Sequence, residues 1–220
     1  MKPESVNQMT ADTVYILLTG KQGSGKTTLL GKLGKYIGPT AVHEKFAGTL
    51  YACSTAVLQV LDRCGIRPTR EQEKTLLQLL GTEWGRRQLG EDVWVRALIG
   101  RVQDYPVSKT FVLIDDARFE NEFWAFQKEH TYTIRCLASE DTRRSRCDGW
   151  RENTSHPSET GLDHIADHEF DFVGVTDKKM PGYQDPVSMA CAILLDLDRR
   201  FHKGVYRGQE RQEGTAHHPG

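Results

Sequence analysis

The octapeptide Gly20-Lys21-Gln22-Gly23-Ser24-Gly25-Lys26-Thr27 fits the pattern G-x-x-x-x-G-K-[ST] at every fixed position. Glycines so spaced let backbone N–H groups turn inward onto phosphate oxygens. A helix opening at the same point adds partial positive charge there. On this reading Gly20, Lys21, Gln22, Gly23, Ser24, Gly25, Lys26, Thr27 and Thr28 hold the phosphates of a nucleoside triphosphate. Lys26 reaches the β- and γ-phosphates, and the Thr27 hydroxyl ligates Mg2+.

Three further groups carry chemistry. Asp115 and Asp116 end an aliphatic run, where one acid can hold Mg2+, directly or through water, or accept a proton from an attacking oxygen. Arg118 follows two residues on, aimed at the same crevice, with Glu122 as a partner for it or for substrate. Trp84, Arg86, Asp92 and Trp94 cluster around glycines; tryptophan faces stack on bases and arginine grips phosphate with a two-pronged fork. Packing in a helix accounts for the two tryptophans equally well. Arg143, Arg144 and Arg146, with Arg151 beyond, supply charge that can close over a transferring phosphoryl group, although a solvated basic helix face has the same composition. His156-Pro157-Ser158-Glu159 lies in the following loop, where ordering the loop or positioning substrate suits it better than catalysis.

These residues need a scaffold. Thr13–Leu18 is a β-branched and aliphatic run suited to a buried parallel strand ahead of the glycine-rich loop, and Thr27–Leu33 opens a helix behind it. Lys109–Asp116, Tyr132–Leu137 and Phe170–Val175 predict further strands, with a short one at 40–42. Helical spacing marks 48–64, a helix capped by Thr69 with Leu76, Leu77, Leu79 and Leu80 on its buried face, a break at Gly81, and a helix over 92–102. Helix is also expected over 120–130, and over 186–201, where Met189, Ile193, Leu194, Leu197 and Phe201 form one face. Alternating strands and helices imply α/β architecture with ligands at the carboxyl ends of parallel strands.

Length and composition fit one such domain: 220 residues, 29 basic and 30 acidic side chains, and a formal net charge of −1 that argues against a broad nucleic-acid surface. Five scattered cysteines without a C-x-x-C pair read as reduced thiols, not as a disulfide framework or a zinc site. The polar first dozen residues lack a signal peptide, and no apolar run approaches the ~20 residues of a membrane span, so a cytoplasmic protein is expected.

The order of P-loop, Leu79-Leu80-Gly81-Thr82-Glu83-Trp84-Gly85-Arg86, Asp92-x-Trp94, Asp115-Asp116-x-Arg118-Phe119-x-Asn121-Glu122 and His156-Pro157-Ser158-Glu159 resembles the deoxynucleoside monophosphate kinases of tailed bacteriophages, over roughly residues 14–175. The resemblance implies a P-loop fold with a five-stranded parallel sheet flanked by helices. It divides a single domain of 1–203 into a core of 13–47 and 109–203, a helical NMP-binding insertion at about 48–105 and an arginine-rich lid at about 139–160, followed by a tail at 204–220. It implies transfer of the ATP γ-phosphoryl group to a deoxynucleoside monophosphate (dNMP) with Mg2+, in the host cytoplasm. Residues 20–28 then hold ATP; Trp84, Arg86, Asp92, Trp94, Arg118 and Glu122 line the acceptor site; Arg143, Arg144 and Arg146 act from the lid; Thr27, Asp115 and Asp116 stand near the metal. Phe46-Ala47-Gly48-Thr49-Leu50-Tyr51 departs from the family's Phe-Ala-Asp-Pro-Leu-Lys, and Val175-Thr176-Asp177 from its Asn-Asp pair. Another small-molecule kinase, similar to dephospho-coenzyme A kinase, and an NTP-hydrolysing switch or motor component stay open as alternatives. So do the bases accepted and the oligomeric state, a homodimer included.

Overall fold

The apolar runs pair into one parallel sheet. In the computed structural model, residues 13–103, 105, 111–126, 128–147, 150 and 160–201 are described. In chain order these form β1 (Val14–Thr19), α1 (Lys26–Ile37), β2 (Ala41–Glu44), α2 (Gly48–Arg63), α3 (Arg70–Gln78), a π-helical stretch (Leu79–Leu89) and α4 (Val93–Gln103). There follow β3 (Phe111–Ile114), a single turn α5 (Glu120–Phe123), β4 (Thr131–Leu137), a short α6 (Glu140–Ser145), β5 (Phe172–Val175) and α7 (Pro186–Phe201). The strand order is β2-β3-β1-β4-β5, all parallel. This is the five-stranded α/β P-loop fold that the sequence predicts.

β1 and β3 are buried along their whole length, which explains their unbroken aliphatic runs. Val14, Ile16 and Leu18 face α1 and α7, packing among Leu29, Leu33, Ile193 and Leu197. Tyr15 and Leu17 face the other way, onto Leu98 and Val102 of α4 and onto Phe46 and Phe126. β1 therefore lies between helices of both layers, and its neighbours β3 and β4 carry the chain to opposite sides of it. A crevice opens at the carboxyl end of such a strand.

Three expectations need correction. The helix foreseen over 120–130 lasts one turn, after which Lys128–His130 adds only a 3-10 turn. The chain leaves the helix because the Phe126 ring stacks on Tyr15, with centroids 3.9 Å apart. Gly81 does not end a helix; α3 widens into the π-helical stretch, whose Gly81 and Gly85 are buried against other side chains. A Cβ on Gly85 would stand 2.6 Å from the Trp94 ring, so the glycine is what lets that indole in. Finally, α3 buries none of its leucines, and Leu79 just beyond it is exposed; this helix packs chiefly on α2 and the π-helical stretch. Its start is as expected: Thr69 and Gln72 bond each other's backbone N–H groups in a capping box.

Candidate active site

The glycine-rich loop leaves β1 at its carboxyl end and enters α1. Gly20 and Gly23 take φ of +131° and +77°, a region costly to any residue with a side chain. At Gly23 a Cβ would also lie 2.6 Å from the Arg143 carbonyl and 2.9 Å from Cys147 Sγ, so α6 presses directly on the loop. Lys26 folds its ammonium back over the loop, donating to the carbonyls of Gly20 and, at 2.9 Å, Lys21. An ammonium held by two carbonyls at the rim of an N–H-lined loop can transfer to a phosphate without backbone movement.

The two adjacent acids do different things. Asp115 Oδ2 accepts from the Thr27 hydroxyl at 3.1 Å, while its Oδ1 lies 3.1 Å from His43 Nε2 and 3.6 Å from Lys45 Nζ. Burial pushes the Asp115 carboxyl up, but His43, Lys45 and Thr27 together outweigh it and hold it below its ordinary value. An ionised carboxylate beside a threonine hydroxyl is a hard-oxygen pair that suits Mg2+ shared with phosphates. Among the described residues, no group of three or more His, Cys, Asp or Glu is placed to hold a metal ion.

Asp116 points the other way. Its two oxygens accept the backbone N–H groups of Phe46 and Ala47, at 2.9 and 3.1 Å. Burial raises its pKa, offset in part by those two bonds. The Asp116 carboxylate, expected near metal or acceptor, clamps the turn between β2 and α2.

The expected acceptor residues divide similarly. Trp94 is buried, its indole N–H donating to the Gly81 carbonyl at 3.0 Å, so it packs between α4 and the π-helical stretch. Trp84 is 49% exposed. Arg86 donates to Glu122 Oε1 at 2.7 Å and to the Glu91 carbonyl at 3.1 Å, and lies 4.1 Å above the Phe119 ring. The other oxygen of Glu122 accepts the N–H groups of Arg118 and Phe119. Burial raises the Glu122 pKa despite these bonds. Asp92 accepts from Asn121 at 3.1 Å. Glu122 thus ties the π-helical stretch to the chain just beyond the β3 acids.

A cleft of about 310 Å³ opens between the loop and the ends of β1 and β4. Arg118, Arg135, Arg143 and Lys21 line it, with Asp163 as the acid among them. Lys21 and Asp163 pair at 2.9 Å, and Arg135 pairs with Asp167 at 2.7 Å while lying over the Phe170 ring. Gly23, Ser24, Lys26, Thr27, Thr28 and Arg146 line a second pocket on the loop's other side. Arg146 donates to the Thr176 carbonyl at 2.7 Å and to the Gly23 carbonyl at 3.3 Å. Arg143 approaches the Gln22 carbonyl at 3.5 Å. Arg144, paired with Glu140 at 3.5 Å, stands on the outer side of α6. Arg151 and His156–Glu159 lie outside the described residues.

His43, Lys45, Arg135 and Asp163 enter the site without having been singled out in the sequence. A charged residue inside the buried strand Thr131–Leu137, and a polar triplet closing β2, are the signals that mark Arg135 and His43–Lys45. Among the described residues, no helix is long and apolar enough to cross a membrane.

No protein-family model matches the chain, and no curated protein matches it. Solved structures similar in chain path include a shikimate kinase from Aquifex aeolicus, 16% identical, covering 87% of this chain and 100% of that one at a TM-score of 0.43. A shikimate kinase from Acinetobacter baumannii in complex with shikimate is 15% identical, covering 85% and 94% at 0.45. A gluconokinase from Sinorhizobium meliloti is 14% identical, covering 94% and 99% at 0.39.

Proposed function

We propose that the protein is an ATP-dependent phosphotransferase whose acceptor is a (deoxy)nucleoside 5′-monophosphate. One observation carries the reading: a loop built for a triphosphate and a separate cleft rich in arginine meet at the carboxyl end of β1. A donor alone needs one pocket; two pockets sharing a wall suit a donor and an acceptor. An anionic acceptor suits the cleft, because Arg118 and Arg143 line it in addition to Lys21 and Arg135, which are paired with Asp163 and Asp167.

On this reading residues 20–28 hold the triphosphate, with Lys26 turning from its carbonyl partners to the phosphates. Thr27 and Asp115 hold Mg2+, which neutralises phosphate charge when bound. The acceptor phosphate is already ionised at neutral pH, so no general base is needed for the attack. Arg118 orients it, held in place by the grip of Glu122 on its backbone. Arg143 and Arg146 fix the loop from outside. Asp92 and Trp84 remain as the acceptor-side groups of the inserted helices.

A second reading, a different small anionic acceptor, has an observation in its favour: Arg86 is engaged with Glu122 and Trp94 is buried, so half of the expected base-and-phosphate grip is used in packing. The test measures ADP release from ATP with each of the four dNMPs, dUMP and the ribonucleotides, and with shikimate and gluconate as non-nucleotide acceptors. Stimulation by a monophosphate, abolished in Lys26→Ala with an unchanged circular dichroism spectrum, is the expected result. Turnover indifferent to every acceptor would instead mark an NTPase.

A further inference from the structure

Ser24 stands on the wall between the two pockets and lines both of them. It is 1% exposed, and among the described residues its hydroxyl has no hydrogen-bond partner. Its backbone is pinned on both sides: the N–H donates to the Lys21 carbonyl at 3.1 Å, and its carbonyl accepts from the Thr176 hydroxyl at 2.8 Å. The Gly20 α-carbon closes off another direction, since a Cβ there would lie 2.7 Å from the Ser24 oxygen. Buried hydroxyls are ordinarily satisfied, and one held unsatisfied at a site of transfer marks a partner that comes with the ligand.

We infer that the Ser24 hydroxyl is a catalytic hydrogen-bond donor to the phosphoryl group as it passes from the donor pocket to the cleft. The inference rests on the phosphotransferase reading above. In the transfer an acceptor oxygen forms a bond to the γ-phosphorus. The bond from that phosphorus to the β–γ bridging oxygen breaks, and its electron pair stays on the ADP β-phosphate. Ser24 keeps its proton throughout; it donates to an equatorial oxygen, where charge is spread in the transition state. A neutral hydroxyl suits this place because the pockets already hold several cations, and a further charge would retain the product.

The test compares Ser24→Ala with the wild-type chain for turnover and for thermal unfolding. Removing one preorganised donor is expected to lower kcat about tenfold to a hundredfold, with KM for ATP and for the acceptor changed by less than about threefold. Because the hydroxyl is unsatisfied in the folded protein, Tm is expected to hold or rise. Ser24→Cys, close in size and a weaker donor, is expected between the two. A kcat within about twofold of wild type overturns the inference, as does a fall in Tm that tracks the lost activity. If the wild-type chain releases ADP without regard to acceptor, the phosphotransferase reading fails on its own, and the same comparison on that hydrolysis still decides Ser24.

Discussion

Replacing Asp116 with alanine separates two roles that neighbouring acids can play. In the structure its carboxylate accepts the N–H groups of Phe46 and Ala47, and the Phe46 ring beneath that turn is buried. A hydrogen bond to an ionised group contributes about 1.5–3 kcal/mol net, so the pair is worth roughly 3–6 kcal/mol. Burial of the carboxylate opposes this, as its raised pKa records. The expected loss is therefore about 2–4 kcal/mol, or roughly 4–15 °C in Tm for a chain of this size. The folded state holds this proton more tightly than the unfolded chain does. Wild-type stability accordingly falls as pH rises from the ordinary aspartate pKa through the raised folded one. The alanine variant lacks that slope, so the gap between the two proteins narrows with rising pH across that window. Urea unfolding followed by tryptophan fluorescence at several pH values measures both quantities. A variant within about 0.5 kcal/mol of wild type that has nonetheless lost turnover would refute the reasoning and return Asp116 to the chemistry.

Arg86→Ala leaves the Glu122 carboxylate, 4% exposed, without its cation and is expected to cost about 3 kcal/mol in denaturant unfolding. With the cation gone the Glu122 pKa rises further, so the variant regains stability as pH falls through that value, and Glu122→Gln in the same chain recovers part of the loss. Unchanged stability with a raised KM for the acceptor alone would make Arg86 a substrate contact instead. Phe126→Ala removes the ring stacked on Tyr15 and is expected to cost about 3–4 kcal/mol, measured by the same unfolding titration. A loss below about 1 kcal/mol would mean that something other than this ring ends the helix at Phe123.

The sheet was legible because parallel strands covered on both faces must be continuous aliphatic runs, and Val14–Leu18 and Phe111–Ile114 are such runs. The C-terminal helix was legible from its apolar face, Met189 to Phe201, down to both ends. What local pattern does not carry is direction. Asp115 and Asp116 differ by one position, and only the packing of β2 beside β3 decides which of them meets Thr27 and which meets the turn at Phe46. Trp84 and Trp94 are alike in sequence, and the π-helical widening at Gly81 and Gly85 decides which is swallowed. Arg135 reaches the cleft through the register that sets it beside Thr19, a long-range fact with no local trace beyond its charge.

Among the described residues β5 has its strand neighbour in β4, and Val175 makes an isolated bridge to Tyr183. The end of this edge strand is nevertheless fastened inward: Thr176 bonds to Ser24, Leu137 and Arg146 at once. The phosphate loop and the outermost strand therefore share one knot of hydrogen bonds. A ligand that stiffens the loop also restrains the strand end against fraying, so occupancy of the donor pocket is transmitted across the sheet to the edge that local opening would otherwise reach first.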